Sequence, residues 1–292
     1  MRKLEIINKN GQVLNLLNNR DRFILSGAAG LHGIETEVNE TETPYTDGTT
    51  VDSVKALPRG IELTLTLRGN IKASIDYVTS IVKSKQWVTL REVEGERDIT
   101  VKGIVTIPPY SRMLQTCKIG ISIYCPQPYW EDLNTIAIAI SNIIDVLYFP
   151  AEGQYFTVTG RPFGVLDTSL TKTFTNDSDT AVGMVITLTA LGKVINPLII
   201  CGSGEQVGWY IKLNITLQAD DELEISTVRG DKYIKVNGLN EYNGEPLLNY
   251  LEWLGEDWLQ LETGENTFSV TTEDGATNSN LYFNITYKGR YE

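Results

Sequence analysis

The chain has one histidine and three cysteines among its 292 residues. A lone imidazole, His32, leaves no second histidine for a metal site, and no GxSxG elbow is present for it to serve. CxxC, HExxH, P-loop and GxGxxG patterns are absent as well. The odd cysteine count points to reduced thiols. Cys117 and Cys125 share the parity of Ile119, Ile121 and Ile123, which places both in a core. Basic charge is scarce, with 25 Lys and Arg against 37 Asp and Glu and a formal net charge of −12. That balance argues against sequence-specific nucleic-acid binding, although DNA could slide past such a surface without adhering. No apolar run approaches the roughly 20 residues of a membrane helix, so membrane insertion is not expected. The opening MRKLEIINKNG is partly apolar only over Leu4–Ile7, too short for a secretory signal. Folding in a cytoplasm is the expectation.

What is present is β-structure. Ile61–Arg68 alternates strictly, with Ile61, Leu63, Leu65 and Leu67 on one face and Glu62, Thr64, Thr66 and Arg68 on the other. Leu4–Ile7, Val13–Leu17, Phe23–Leu25, Trp87–Arg91, Ile99–Ile107 and Gln115–Cys125 read as further strands, with the charged Glu92–Asp98 as a hairpin tip. Glu35–Thr50 is acidic and threonine-rich and reads as a surface loop or a strand pair with a turn. Ile71, Ile75, Val78 and Val82 change to helical spacing and predict one helix. Pro126 and Pro128 stop the strand that ends at Cys125, because proline cannot donate to a ladder, and Tyr129 and Trp130 follow.

The pattern restarts at Ile136, Ile138 and Ile140. Tyr155–Thr159, Val182–Ala190, Trp209–Leu217, Glu222–Thr227, Tyr233–Val236, Phe268–Thr272 and Leu281–Tyr287 are short strands separated by turn residues, Asp274–Gly275 among them. Such spacing means a β-sandwich or barrel. Leu247, Tyr250, Leu251 and Leu254 predict a short helix within Pro246–Leu254. The carboxylate pairs Asp220–Asp221, Glu256–Asp257 and Glu273–Asp274 fall in turns, where solvated side chains are the default over the paired acids of a glycosidase. Gly202–Ser203–Gly204 is followed by Glu205 and Gln206, not by the Lys and Ser or Thr of a phosphate cradle, and reads as a plain turn. Trp209 has core parity with Ile211, whereas Trp253 and Trp258 are candidates for stacking on a sugar ring.

Several segments, taken in order, carry a family resemblance. They are LPRGIELTL (Leu57–Leu65) with the helix after it, the closing I-x-I-x-C-P-x-P-Y-W (Ile121–Trp130), and Gly183 leading a strand to Gly192 and Asn196–Pro197. ADDELEIST (Ala219–Thr227), KVNG (Lys235–Gly238), LETGENTF (Leu261–Phe268) and YKGRY (Tyr287–Tyr291) follow. In this the chain resembles the distal tail proteins of long-tailed bacteriophages, the siphovirus tail-component family. The acidic, threonine-rich Glu35–Thr50 departs from the proline-rich or aromatic segment typical at that place.

The resemblance implies a mainly β fold. An N-terminal β-sandwich or split-barrel-like domain with one helix, residues 1–132, would form a ring, and a galectin-like antiparallel β-sandwich, residues 133–292, would follow and point outward. It implies a structural role without catalysis, metal or cofactor, in a self-assembled ring that is usually a hexamer. The ring would join the tail tube protein to a tail-tip protein, a tail-associated lysin or fibre, at the virion tail tip and let DNA pass. A receptor-binding protein or host cell-wall glycan would be a further partner. Tyr129 and Trp130 are expected to wedge the two domains, and Trp253 and Trp258 to touch glycan. The alternative is a carbohydrate-binding β-sandwich module, with a glycosidase third.

Overall fold

The computed structural model describes residues 2–42, 47–106, 111–112, 117–139, 143–145, 164–166, 171–238, 242, 247–255, 257–273 and 281–292. Its chain divides into two compact units. Met1–Asn134 and Arg290–Glu292 make the first, and Thr135–Gly289 makes the second. The last three residues thus belong with the first unit and not, as a 133–292 domain would have it, with the second.

In the first unit the strands are β1 (Lys3–Asn8), β2 (Val13–Asn15), β3 (Phe23–Ala29), β4 (Thr36–Glu42), β5 (Thr49–Ala56), β6 (Arg59–Leu67), β7 (Trp87–Glu94), β8 (Arg97–Thr106), β9 (Ser111–Arg112), β10 (Cys117–Cys125) and β11 (Trp130–Asp132). Among the described residues of this unit the one helix, α1 (Ile71–Ile81), lies between β6 and β7. The main sheet runs β2-β1-β7-β8-β10-β6-β3, and all its pairings are antiparallel. Alternation drives it: Ile119, Ile121 and Ile123 of β10 stand opposite Leu65, Leu63 and Ile61 of β6, all buried. Leu14 of β2 and Phe23 of β3, from the two ends of the sheet, enter the same core, so the sheet curls around it as a split barrel does. Asn70 caps α1 by accepting from the Ala73 N–H, and the helix buries Val78 and Ile81 in that core. Gly103 of β8 is required by close approach: a Cβ there would lie 2.5 Å from Ile123 Cγ2 and 2.8 Å from Cys125 Sγ.

Two expectations change in this unit. The polar tip Glu92–Asp98 shrinks to the turn at Gly95, because β7 runs on to Glu94 and β8 begins at Arg97. Glu92 therefore has inward parity and is buried. Of the two readings of Glu35–Thr50 the strand pair is the nearer, but it extends past that range: β4 pairs with β5, which runs from Thr49 to Ala56, in a two-stranded sheet of their own.

In the second unit the strands are β12 (Ile136–Ala139), β13 (Ile143–Asp145), β14 (Gly164–Leu166), β15 (Thr171–Asn176), β16 (Met184–Ala190), β17 (Val194–Ile195), β18 (Leu198–Cys201), β19 (Tyr210–Leu213), β20 (Thr216–Leu217), β21 (Glu222–Ser226), β22 (Tyr233–Asn237), β23 (Leu251–Leu254), β24 (Gly264–Thr271) and β25 (Leu281–Tyr287). Two five-stranded antiparallel sheets, β12-β25-β16-β21-β22 and β15-β24-β18-β19-β23, share one core. Met184, Ile186 and Leu188 come from one sheet, and Ile199, Ile211 and Phe268 from the other. This is an antiparallel β-sandwich. The long strand read over Trp209–Leu217 divides into β19 and β20, with its parity intact: Ile211, Leu213, Ile215 and Leu217 are all buried.

The helix predicted within Pro246–Leu254 is corrected. Leu247–Tyr250 is a single 3-10 turn, and Leu251–Leu254 is an edge strand on β19. The Asn214 N–H donates to the Tyr250 carbonyl and draws the segment onto the sheet. The strand read at Tyr155–Thr159, the turn at Asp274–Gly275 and Glu256 lie outside the described residues. After β25 the chain returns to the first unit as β26 (Arg290–Tyr291), which pairs Trp130 with Tyr291 and Glu131 with Arg290.

Candidate functional site

Two places in the first unit and one in the second hold unusual side chains. In the first unit, the segment after Pro126 is not a free linker. Trp130 is fully buried in the core, and its indole N–H donates to the Leu31 carbonyl at 2.7 Å. Arg59, also buried, ties three strands of chain together. Its Nε donates to the Pro128 carbonyl at 2.6 Å, and its Nη1 to the Leu31 and Gly30 carbonyls at 2.5 and 3.2 Å. Burial lowers the Arg59 pKa from its ordinary value. Gly30 has φ +75°, and a Cβ on it would stand 2.0 Å from the Gly60 carbonyl oxygen, so only glycine lets this turn seat against β6. Tyr129 is half-buried with the Arg290 guanidinium 6.0 Å from its ring centroid. Sequence reading assigned Arg59 no role. Its parity with Ile61 and Leu63 was the available signal.

His32 and Glu35 line an open cavity of about 260 Å³ beside Arg59 and Pro58. His32 Nε2 stands 3.9 Å from the buried carboxylate of Glu92, whose other oxygen meets Arg2 at 2.6 Å. Arg2 is the cation paired with this buried acid, and the three side chains together form no nucleophile or base–orienter pair. From this same edge of the unit springs the β4–β5 hairpin. Its described residues are exposed almost throughout. Register puts Val38 opposite Val54 and Glu40 opposite Val51, so one face carries three exposed valines together with Glu40 and Glu42. The opposite face is polar, with Asn39 bonded to Ser53.

In the second unit, Trp253 on edge strand β23 is 48% exposed, whereas Trp258 is buried against the core. Their rings meet edge to face at 5.6 Å. Lys232 Nζ lies 5.7 Å from the Trp258 ring and 2.9 Å from Asp257, whose carboxyl is held below its ordinary pKa chiefly by that lysine. Trp209 is half-buried on the core. Of the carboxylates read as solvated turn residues, Asp221 does close a turn but is buried, not solvated. Asp221 accepts from the Gln218 N–H at 2.7 Å. Around Gly202–Gly204, the N–H groups of Glu205 and Gln206, which a phosphate would need, donate to Glu262 at 3.0 and 3.2 Å. All three cysteines are free and buried. Among the described residues no group of three His, Cys, Asp or Glu side chains could hold a metal ion. Among them, too, no helix is long and apolar enough to cross a membrane.

Comparison with known proteins agrees with the architecture. Residues 177–291 match the family model of the siphovirus-type tail component, C-terminal domain. No curated protein matches the chain in sequence. Among solved structures the chain is similar to the SPP1 Dit (gp 19.1) protein, described as a paradigm of hub adsorption apparatus in phages infecting Gram-positive bacteria. The TM-score is 0.65 at 12% identity, over 99% of both chains. A chain of the phage P2 baseplate in its activated, calcium-bound conformation aligns with a TM-score of 0.46 at 12% identity, over 99% of this chain and 98% of that one. The likeness to distal tail proteins is thus one of sequence over residues 177–291 and one of fold over both units.

Proposed function

We propose that this chain is a structural distal tail protein of a phage or prophage. It sits at the virion tail tip, assembles as a ring of six copies, and joins the tail tube to the tip apparatus while leaving DNA a passage. The observation that carries the assembly is the β4–β5 hairpin. A two-stranded hairpin with no core of its own is at best marginally stable in water. Three valines exposed on one face need a cover, and β4 and β5 pair with no strand but each other among the described residues. A copy of the same chain, met head to tail around a closed ring, supplies that cover repeatedly. The net charge of −12 suits a lumen from which DNA phosphates are repelled. A lysin, fibre or receptor-binding protein would be carried on the tip side. Negative-stain microscopy and native mass spectrometry of the purified chain, alone and with its tube protein, test this. Rings with a single stoichiometry are the expected result. A protein that stays monomeric in both conditions would refute the assembly.

A second reading keeps a place because Trp253 is exposed beside Trp258. Aromatic faces of this kind bind sugar rings, and the sandwich would then carry a glycan-binding function of its own. Pull-down on host cell walls decides it: binding must occur and must fall on Trp253→Ala.

A further inference from the structure

The outer face of the first unit's sheet is not uniformly polar. Ile104 stands opposite both Trp87 on β7 and Tyr124 on β10, which makes one rung of three outward side chains. Diagonal to Trp87, Ile7 pairs with Thr89 and with Val13 of β2. Trp87, Tyr124 and Val13 are 54%, 52% and 44% exposed. The strip therefore crosses five neighbouring strands, β2-β1-β7-β8-β10, or about 19 Å at 4.8 Å per strand spacing. Between Ile7 and Trp87 it dips into a shallow groove of about 230 Å³, which Lys9 and Lys102 also line. Large side chains in line on the solvent face of a sheet mark a contact surface.

The occupant is indicated by the chain itself. The valine face of the β4–β5 hairpin runs from Val51 to Ala56, about 17 Å at 3.4 Å per residue, close to the length of the strip. It carries Glu40 and Glu42 alongside its valines, and the strip offers Lys9 and Lys102. In a chain so rich in acid, lysines lining an apolar groove are a fitting complement to an acidic, valine-bearing hairpin. We propose that the β4–β5 hairpin of one copy lies across the Trp87–Ile104–Tyr124 strip of the next, with Glu40 and Glu42 against Lys9 and Lys102. This rests on the ring reading above and adds to it the two surfaces that meet. Hairpin and strip are different surfaces of one unit, so the contact is heterologous and propagates around a ring.

The test uses the full chain and native mass spectrometry across a concentration series. Trp87→Glu and Val54→Glu should each weaken ring assembly at least about tenfold. Lys102→Glu and Glu40→Lys should each weaken it, and the two together should restore it. All four positions lie on outward faces, so circular dichroism and the thermal midpoint should match the parent chain. If the parent forms rings and these variants form them equally well, the surface is wrong and the ring stands. If the parent forms no ring with or without its tube protein, the ring reading fails and this contact falls with it. If single charge reversals weaken assembly but the double variant does not recover, the assigned charge pairing is overturned.

Discussion

Trp130→Ala separates two roles for the residue that follows the proline stop. The indole is fully buried among the first unit's core residues. Truncating a buried tryptophan costs about 3–5 kcal/mol, mostly through the cavity left behind. The lost hydrogen bond is the smaller part, about 1 kcal/mol, because the Leu31 carbonyl keeps the Arg59 guanidinium as a donor. For a unit of about 140 residues each kcal/mol moves the midpoint by about 3–4 °C, so a fall of about 10–20 °C is expected. Trp130→Phe keeps most of the volume and should lose only a few degrees. Hydrogen exchange read by mass spectrometry locates the effect. Amides of β6 and β10 should lose protection, while β16 and β25 of the second unit keep theirs. A wedge between units predicts something else: both cores stay protected and only the crossings near residues 134 and 289 open. That outcome would refute the core assignment.

Other perturbations follow from the same core and its rim. Gly103→Ala forces a methyl against Ile123, Cys125 and the Tyr124 carbonyl, and should destabilise the first unit by about 1–3 kcal/mol in denaturant titration. Burial pushes the Cys125 thiol pKa up to about 11, so it should resist alkylation at pH 8 until the chain is unfolded. Because the folded pKa is raised, that group's contribution to stability is intact below the unfolded thiol value and is lost as pH climbs through about 11. Asp98 has the opposite sign. The Arg91 fork, at 2.8 and 2.6 Å, lowers its pKa below 3.8. Its stabilisation is therefore present above 3.8 and disappears as pH falls through the depressed value. Asp98→Asn should flatten that part of the acid-unfolding curve.

Where two signals agreed in the sequence, the fold could be read. Ile61–Leu67 and Ile119–Ile123 alternate without exception, and they pair with each other inside the first sheet. The helix could be read because Ile71, Ile75, Val78 and Val82 shift to another period. Where polarity and parity disagreed, polarity misled. Glu92 looks like a hairpin tip and Arg59 is a charged residue just ahead of the alternating Ile61–Arg68, yet each has the inward parity of its apolar neighbours, and each is buried. The Leu247–Leu254 pattern copied a helix because a 3-10 turn running into a strand on the sandwich rim happens to space its apolar residues by three and four.

The hairpin was hard to read for the reason that makes it interesting. An alternating pattern is visible when one face is buried in the same chain, and β4–β5 buries neither face there. Its apolar positions are sparse valines set among threonine and acid, which is what a strand pair needs if it must stay soluble before meeting a partner. The outer strip shows the same economy: Trp87, Ile104 and Tyr124 are far apart in sequence, and only register brings them into line. The return of β26 to Trp130 is equally invisible to local pattern, since 160 residues lie between the partners. What single-chain periodicity cannot report is therefore of two kinds, pairing over long separations and surfaces of the sort the proposed ring would cover. The second kind is where an assembly protein places its function. The segments that read worst as strands of a monomer are for that reason the first to test as contacts of a ring.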